Sequence, residues 1–296
     1  MMSWRWRSFA VSSALAMAMP LVAGCNSGGS GNTGSPTPSE MSGPITVEVN
    51  QSRDQYGKQA IQIQLTNTTD SPVTVTGARL HSPLFEGDIS WEPSAGSLEL
   101  PPRQPKSVPA VLPAATCNTS ADESTELKAD VTHSTPGKDP VMVSTSASDP
   151  FGVLERNAYE LCIAAEAAAV ATIVLDPGLE LAADGRTAVV RLVITPATPG
   201  GTRQSLTIAS IDETTLLAQP PAAPWPRNVA VRADRQEIPL TIRPARCDPH
   251  AVAEDKVGTL LPLRVAIGER KGVLKVAAPN DLRSRIYDFI TDACAG

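Results

Sequence analysis

The stretch ARCDPHAVAEDK, residues 245–256, crowds Cys247, Asp248, His250 and Glu254 into a few positions. Thiolate, imidazole and carboxylate are the donors of zinc and copper sites. On a helix His250 and Glu254, four residues apart, would share a face. Those three acid and imidazole groups define one reading, a metal-binding or hydrolytic protein. Two ligands on one turn are too few for a site, however, and the other histidines, His81 and His133, lie far upstream. A simpler reading has Asp248 accepting hydrogen bonds from the free amides of a helix start, with Pro249 at its first position. On this view the stretch is a structural turn, and no metal or cofactor is expected.

The elements that would position such residues begin with the leader. Arg5 and Arg7 precede an apolar run, Phe9 to Ala23, of about fifteen residues. A bilayer span needs roughly 20, whereas a signal peptide's hydrophobic region is of this length. The run ends in Leu21-Val22-Ala23-Gly24-Cys25, which resembles the lipobox of bacterial lipoproteins. That resemblance implies a lipid on Cys25, cleavage just before it, and a location on the outer face of the cell membrane. Asn26 to Pro44 is Gly, Ser, Thr and Pro with almost no apolar side chain. Such a segment buries too little surface to offset its ordering entropy, so a tether is expected over 25–44 after a leader over 1–24.

Five cysteines leave four after Cys25: Cys117, Cys162, Cys247 and Cys294. An even remainder in an exported chain reads as two disulfides. Internal similarity chooses among the three pairings. SVPAVLPAATC ends at Cys117 and EIPLTIRPARC ends at Cys247, about 130 positions later. LERNAYEL (Leu154 to Leu161) matches LRSRIYDF (Leu282 to Phe289) at nearly the same offset. Matched landmarks at nearly constant spacing indicate a tandem duplication. Cys117–Cys162 and Cys247–Cys294 then give one bridge per copy, over 45–170 and 171–296.

Within each copy short runs alternate with period two, as in Ile61, Ile63, Leu65 and in Leu263, Val265, Ile267. Alternation marks strands buried on one face. The expected fold is mainly β, two tandem immunoglobulin-like β-sandwich domains. Each copy is expected to end in a disulfide-stapled short helix. The first helix carries Leu154, Leu161 and Ala165 on one stripe. The second carries Leu282, Ile286, Phe289 and Ala293, with Asp281 as its cap.

The CDPHAxAEDK pattern, the late Cys and the doubled layout resemble uncharacterised two-copy exported proteins of high-GC Gram-positive bacteria, a resemblance that implies no activity. The chain contains no G-x-S-x-G, H-E-x-x-H or P-loop sequence, so no enzymatic role is expected. Acidic residues outnumber basic ones, 31 to 25, which argues against nucleic acid as a partner. The carboxylates of ADESTE (Ala121 to Glu126) read as a solvated loop. Trp91 and Trp225 stand in roughly matched places and read either as buried plugs or as partner contacts. The expectation is a lipid-anchored, extracytoplasmic binding or scaffolding protein with an unidentified envelope partner or ligand. An accessory subunit of a transport or secretion system fits the same features.

Overall fold

A computed structural model of the chain describes residues 43–117, 126–197 and 205–295. The leader, Cys25, nearly all of the tether and the ADEST part of the acidic loop lie outside them. The first half runs β1 (Ile45–Asn50), β2 (Ala60–Asn67), β3 (Val73–His81), β4 (Ile89–Trp91), β5 (Leu98–Leu100), β6 (Pro105–Val111), β7 (Lys128–Ser134) and β8 (Val141–Ser148) into helix α1 (Val153–Val170). The second continues with β9 (Ala171–Leu175), β10 (Glu180–Leu181), β11 (Ala188–Pro196), β12 (Leu206–Ile211), β13 (Leu217–Ala218), β14 (Val229–Ala230) and β15 (Gln236–Pro244). A short helix α2 (Pro249–Ala253), β16 (Leu260–Ile267), β17 (Arg270–Ala277) and α3 (Asn280–Ala295) complete it.

The pairings repeat as the sequence does. β1–β2–β6 corresponds to β9–β11–β15, and β5–β3–β7–β8 corresponds to β14–β12–β16–β17. Each half is therefore a two-layer β-sandwich. In the first half a parallel contact between β1 and β8 joins the layers into one sheet, whereas in the second the two layers stay separate sheets. The alternating residues point inward as expected: Ile61, Ile63, Leu65, Leu263, Val265 and Ile267 are all buried. Two prolines lie where a strand has an unpaired side: β6 ends its sheet, and β13 borders β15 only at Arg243 and Pro244. Pro109 of β6 faces Gln62, and Pro239 of β15 faces Arg191. A residue without an N–H cannot donate to an added strand, which blunts these edges against augmentation.

Both disulfides, Cys117–Cys162 and Cys247–Cys294, are formed. Each ties the segment after β6 or β15 to the helix that ends its copy. Asp149 starts α1 by accepting the amides of Val153 and Leu154, both at 2.8 Å. Asp281 does not cap α3. It lies within the first turn, where its charge meets the positive end of the helix dipole.

α1 departs from a single stripe. Ala165 is exposed. Val153, Leu154 and Ala158 close the first hydrophobic core, while Ile163 and Ala167 close the second. One helix thus serves two cores, and its buried face turns partway along. β9 follows α1 without a linker. Opposite lies Gly272 of β17, where a Cβ would stand 2.5 Å from Ile163 Cγ1. Glu160 pairs with Lys275 at 2.7 Å, Glu166 with Arg270 at 3.1 Å, and the Tyr159 hydroxyl donates to the Lys271 carbonyl. Through this helix the two halves make one compact body.

Candidate functional site

The opening stretch resolves into architecture. Asp248 accepts from the His250 amide at 3.0 Å and Pro249 opens α2. Asp248, His250 and Glu254 are all exposed. Cys247 is spent in its disulfide, so it is no thiolate ligand. Among the described residues no group of three His, Cys, Asp or Glu side chains is placed to hold a metal. The engaged acid is the next residue, Asp255. It accepts from the Thr215 hydroxyl at 2.7 Å, the Gly258 amide at 2.8 Å and the Tyr287 hydroxyl at 3.1 Å. Those bonds tie the β12–β13 connection to α3. Burial and the Asp255 charge push the Tyr287 hydroxyl up to about 12, so it remains a donor at neutral pH.

A histidine that sequence reasoning passed over is better organised. Asp88 Oδ1 lies 2.8 Å from His81 Nδ1, and Asp130 Oδ2 lies 2.9 Å from Nε2. The Ser144 hydroxyl donates to the other Asp130 oxygen. With an acceptor at each ring nitrogen, the doubly protonated imidazolium is the favoured form. The bonds to Asp130 and then Asp88 hold the His81 pKa above its ordinary 6.5. The Ser144 bond and then the His81 bond hold Asp130 below 3.8. The hydroxyl meets a carboxylate and not the imidazole, so this is no nucleophile–base pair. The two carboxylates also lie at opposite ends of the ring and cannot converge with it on one ion.

Linkage fixes the sign of its effect on stability. The histidine's contribution is fully present below pH 6.5 and is lost as pH rises through its elevated folded value. The Asp130 contribution is present above pH 3.8 and is lost as pH falls through its depressed one. The stability difference between wild type and His81→Gln is therefore expected to be largest between these limits and to shrink at alkaline pH. Urea midpoints measured across pH check this, and a difference independent of pH would contradict the clamp. The neighbouring recess reaches the rim at Glu126 and Lys128, beyond which residues 118–125 lie outside the described part.

A feature present in both copies is the stronger candidate. β3 carries a bulge between Val75 and Gly77, and β12 one between Ile208 and Ser210, at equivalent places. A bulge bends and twists its strand, and bulges concentrate beside functional sites. Here each borders a recess with a tryptophan in its wall. In the first half Trp91 and Glu92 face Thr76, Gly77 and Arg79 across about 190 Å³. In the second the recess measures about 420 Å³ and includes Ser210, Trp225, Arg227 and Arg243, within the range of roughly 300–1,000 Å³ usual for small-ligand sites.

Trp225 is 5% exposed and belongs to the second core. Its indole N–H donates to the Thr241 carbonyl at 2.7 Å. It is the plug of its sandwich, with no free donor for a partner, and it forms the recess floor. Trp91 is partly buried against the first core. Gln219 organises the rim of the second recess. Its side chain accepts the Trp225 amide at 2.8 Å, its own amide donates to Glu213 at 3.0 Å, and its carbonyl accepts from Arg243 Nε at 3.3 Å. Arg227 and Arg243 are sixteen positions apart on different elements, so no local pattern in the sequence marks them as neighbours.

No family model matches the chain, and no curated protein matches it. Among solved structures, the YadV chaperone is similar over 79% of this chain and 100% of its own, at 13% identity and a TM-score of 0.22. The CsuC–CsuE chaperone–tip adhesion subunit pre-assembly complex of Acinetobacter baumannii archaic chaperone-usher Csu pili is similar over 78% and 94%, at 9% and 0.19. Red sea bream transglutaminase is similar over 79% of this chain but 31% of its own, at 11% and 0.22. Similarities at this level carry no argument.

Proposed function

We propose that this chain is a lipid-anchored extracytoplasmic protein that binds or scaffolds a partner at the cell envelope. The two disulfides carry the reading, because such bridges form and persist in oxidising compartments. They use four of the five cysteines, and the fifth, Cys25, stands in the lipobox-like sequence. Two acyl chains at that position would hold the body stably to a bilayer, where one alone would be marginal. The single compact body joined through α1 suits a scaffold, and the paired recesses beside the bulges supply sites for a ligand.

Fractionation tests the proposal. Wild-type protein is expected in the membrane fraction with a lipid mass on its first residue, Cys25. Cys25→Ala is expected to appear in the medium or to keep its leader. A Cys25→Ala protein that is both cleaved and membrane-bound would refute the anchor.

A further inference from the structure

We infer that the recess beside β12 binds a carboxylate carried next to an apolar group. The inference deepens the binding reading above and rests on it.

The recess is built from two kinds of surface. Pro220, Pro221, Pro224 and the Trp225 floor form an apolar wall. Arg227 and Arg243 supply its cations. Neither forms an ion pair with an acidic side chain among the described residues, although the chain as a whole is acidic. Arg243 is held from behind. Its Nε and Nη1 donate to the carbonyls of Gln219 at 3.3 Å and Pro244 at 3.1 Å. A guanidinium has five N–H donors, so three remain in a fixed fork suited to a carboxylate. Arg227 is exposed and contributes charge at the rim.

Charge sets the ligand class. Two guanidinium groups and the Glu213 carboxylate share the recess, which leaves one positive charge. A monoanion balances it, whereas a phosphate dianion would leave an excess beside Glu213. The proline wall favours an apolar neighbour to the carboxylate. Its rings lose little conformational freedom when a ligand settles on them. The first half serves as an internal contrast. Its recess is less than half as large and holds Arg79 with Glu92 and Asp130, so the charge there does not favour an anion.

The full-length protein, purified in detergent, provides the test. Trp91→Phe leaves Trp225 as the reporter of the folded body, and its emission is followed while short peptides are added. The probes are acetyl-Leu-Leu with a free carboxylate, acetyl-Leu-Leu-amide, and acetyl-Leu-Glu-Leu-amide. At least one of the two acids is expected to bind tenfold or more tightly than the neutral amide, and to weaken as salt rises. The stronger acid identifies the source, a chain end or an acidic side chain. Arg243→Gln is expected to reduce acid binding at least tenfold, and Glu213→Gln to strengthen it severalfold. Arg227→Gln, at an exposed position that does not endanger folding, is expected to weaken it severalfold. Equal binding of acids and amide, or binding of the acids unchanged in both Arg243→Gln and Arg227→Gln, overturns the inference. The fractionation of Cys25→Ala reports on the anchor whatever these titrations show, so the two failures are distinguishable.

Discussion

Replacing both Cys117 and Cys162 by Ala lowers the unfolding free energy by about 4 kcal/mol. The bridge closes a loop of 45 positions, and in the chain-entropy treatment a loop of this size constrains the unfolded chain by about that amount. The companion change at Cys247 and Cys294, with a separation of 47, has a similar entropic cost. The two are expected to differ in where the damage spreads. α3 closes the second core only, whereas α1 closes both. Loss of the first bridge should raise amide exchange in β17 and β9 as well as in the first half. Loss of the second should leave β1 to β8 protected. Urea unfolding gives the magnitude, and hydrogen exchange read by peptide gives the distribution. If exchange after loss of the first bridge stays within the first half, α1 does not couple the cores.

Gly272→Ala should cost about 1–3 kcal/mol, the usual range for forcing an extra methyl into a packed site. The new Cβ would stand 2.5 Å from Ile163 Cγ1 and 2.7 Å from Cδ1, and Ile163 is fully buried. Either the isoleucine leaves its rotamer or α1 lifts from β17. Lifting would also strain the Glu160–Lys275 and Glu166–Arg270 pairs. Ile163→Ala alone should cost about 2–5 kcal/mol, because it leaves a cavity. In the double variant the added methyl occupies space the isoleucine has vacated. Its cost should therefore fall below the sum of the two by 0.5 kcal/mol or more, as neighbours in contact do. Costs that add would place the two side chains out of contact.

Much of this architecture is legible along the chain because its signals are local. Period-two alternation is a property of a few consecutive residues, since successive side chains in a strand point to opposite faces. It marks β2 and β16 without knowledge of their partners. The nearly constant offset between Cys117 and Cys247, and between Leu154 and Leu282, is likewise readable in one dimension and carries the disulfide pairing with it. So is the Asp-Pro start of α2, where a carboxylate and a ring with no N–H suit a helix end.

What tertiary structure decided depends on groups brought together from distant places. Ala165 and Leu161 suggest one stripe on α1, yet packing against two cores turns the buried face and exposes Ala165. His81 reads as an isolated histidine until the pairing of β3 with β7 sets Asp130 beside it, 49 positions away. Trp91 and Trp225 look equivalent in sequence, but only folding shows that one is partly covered and the other is a sealed floor. Arg227 and Arg243 acquire a shared role only where the bulge in β12, the proline segment and the end of β15 converge. Periodicity and spacing record how each element meets its own neighbours in the chain. Charge clusters and recesses record how elements meet each other, and that information is spread over residues with no local relation.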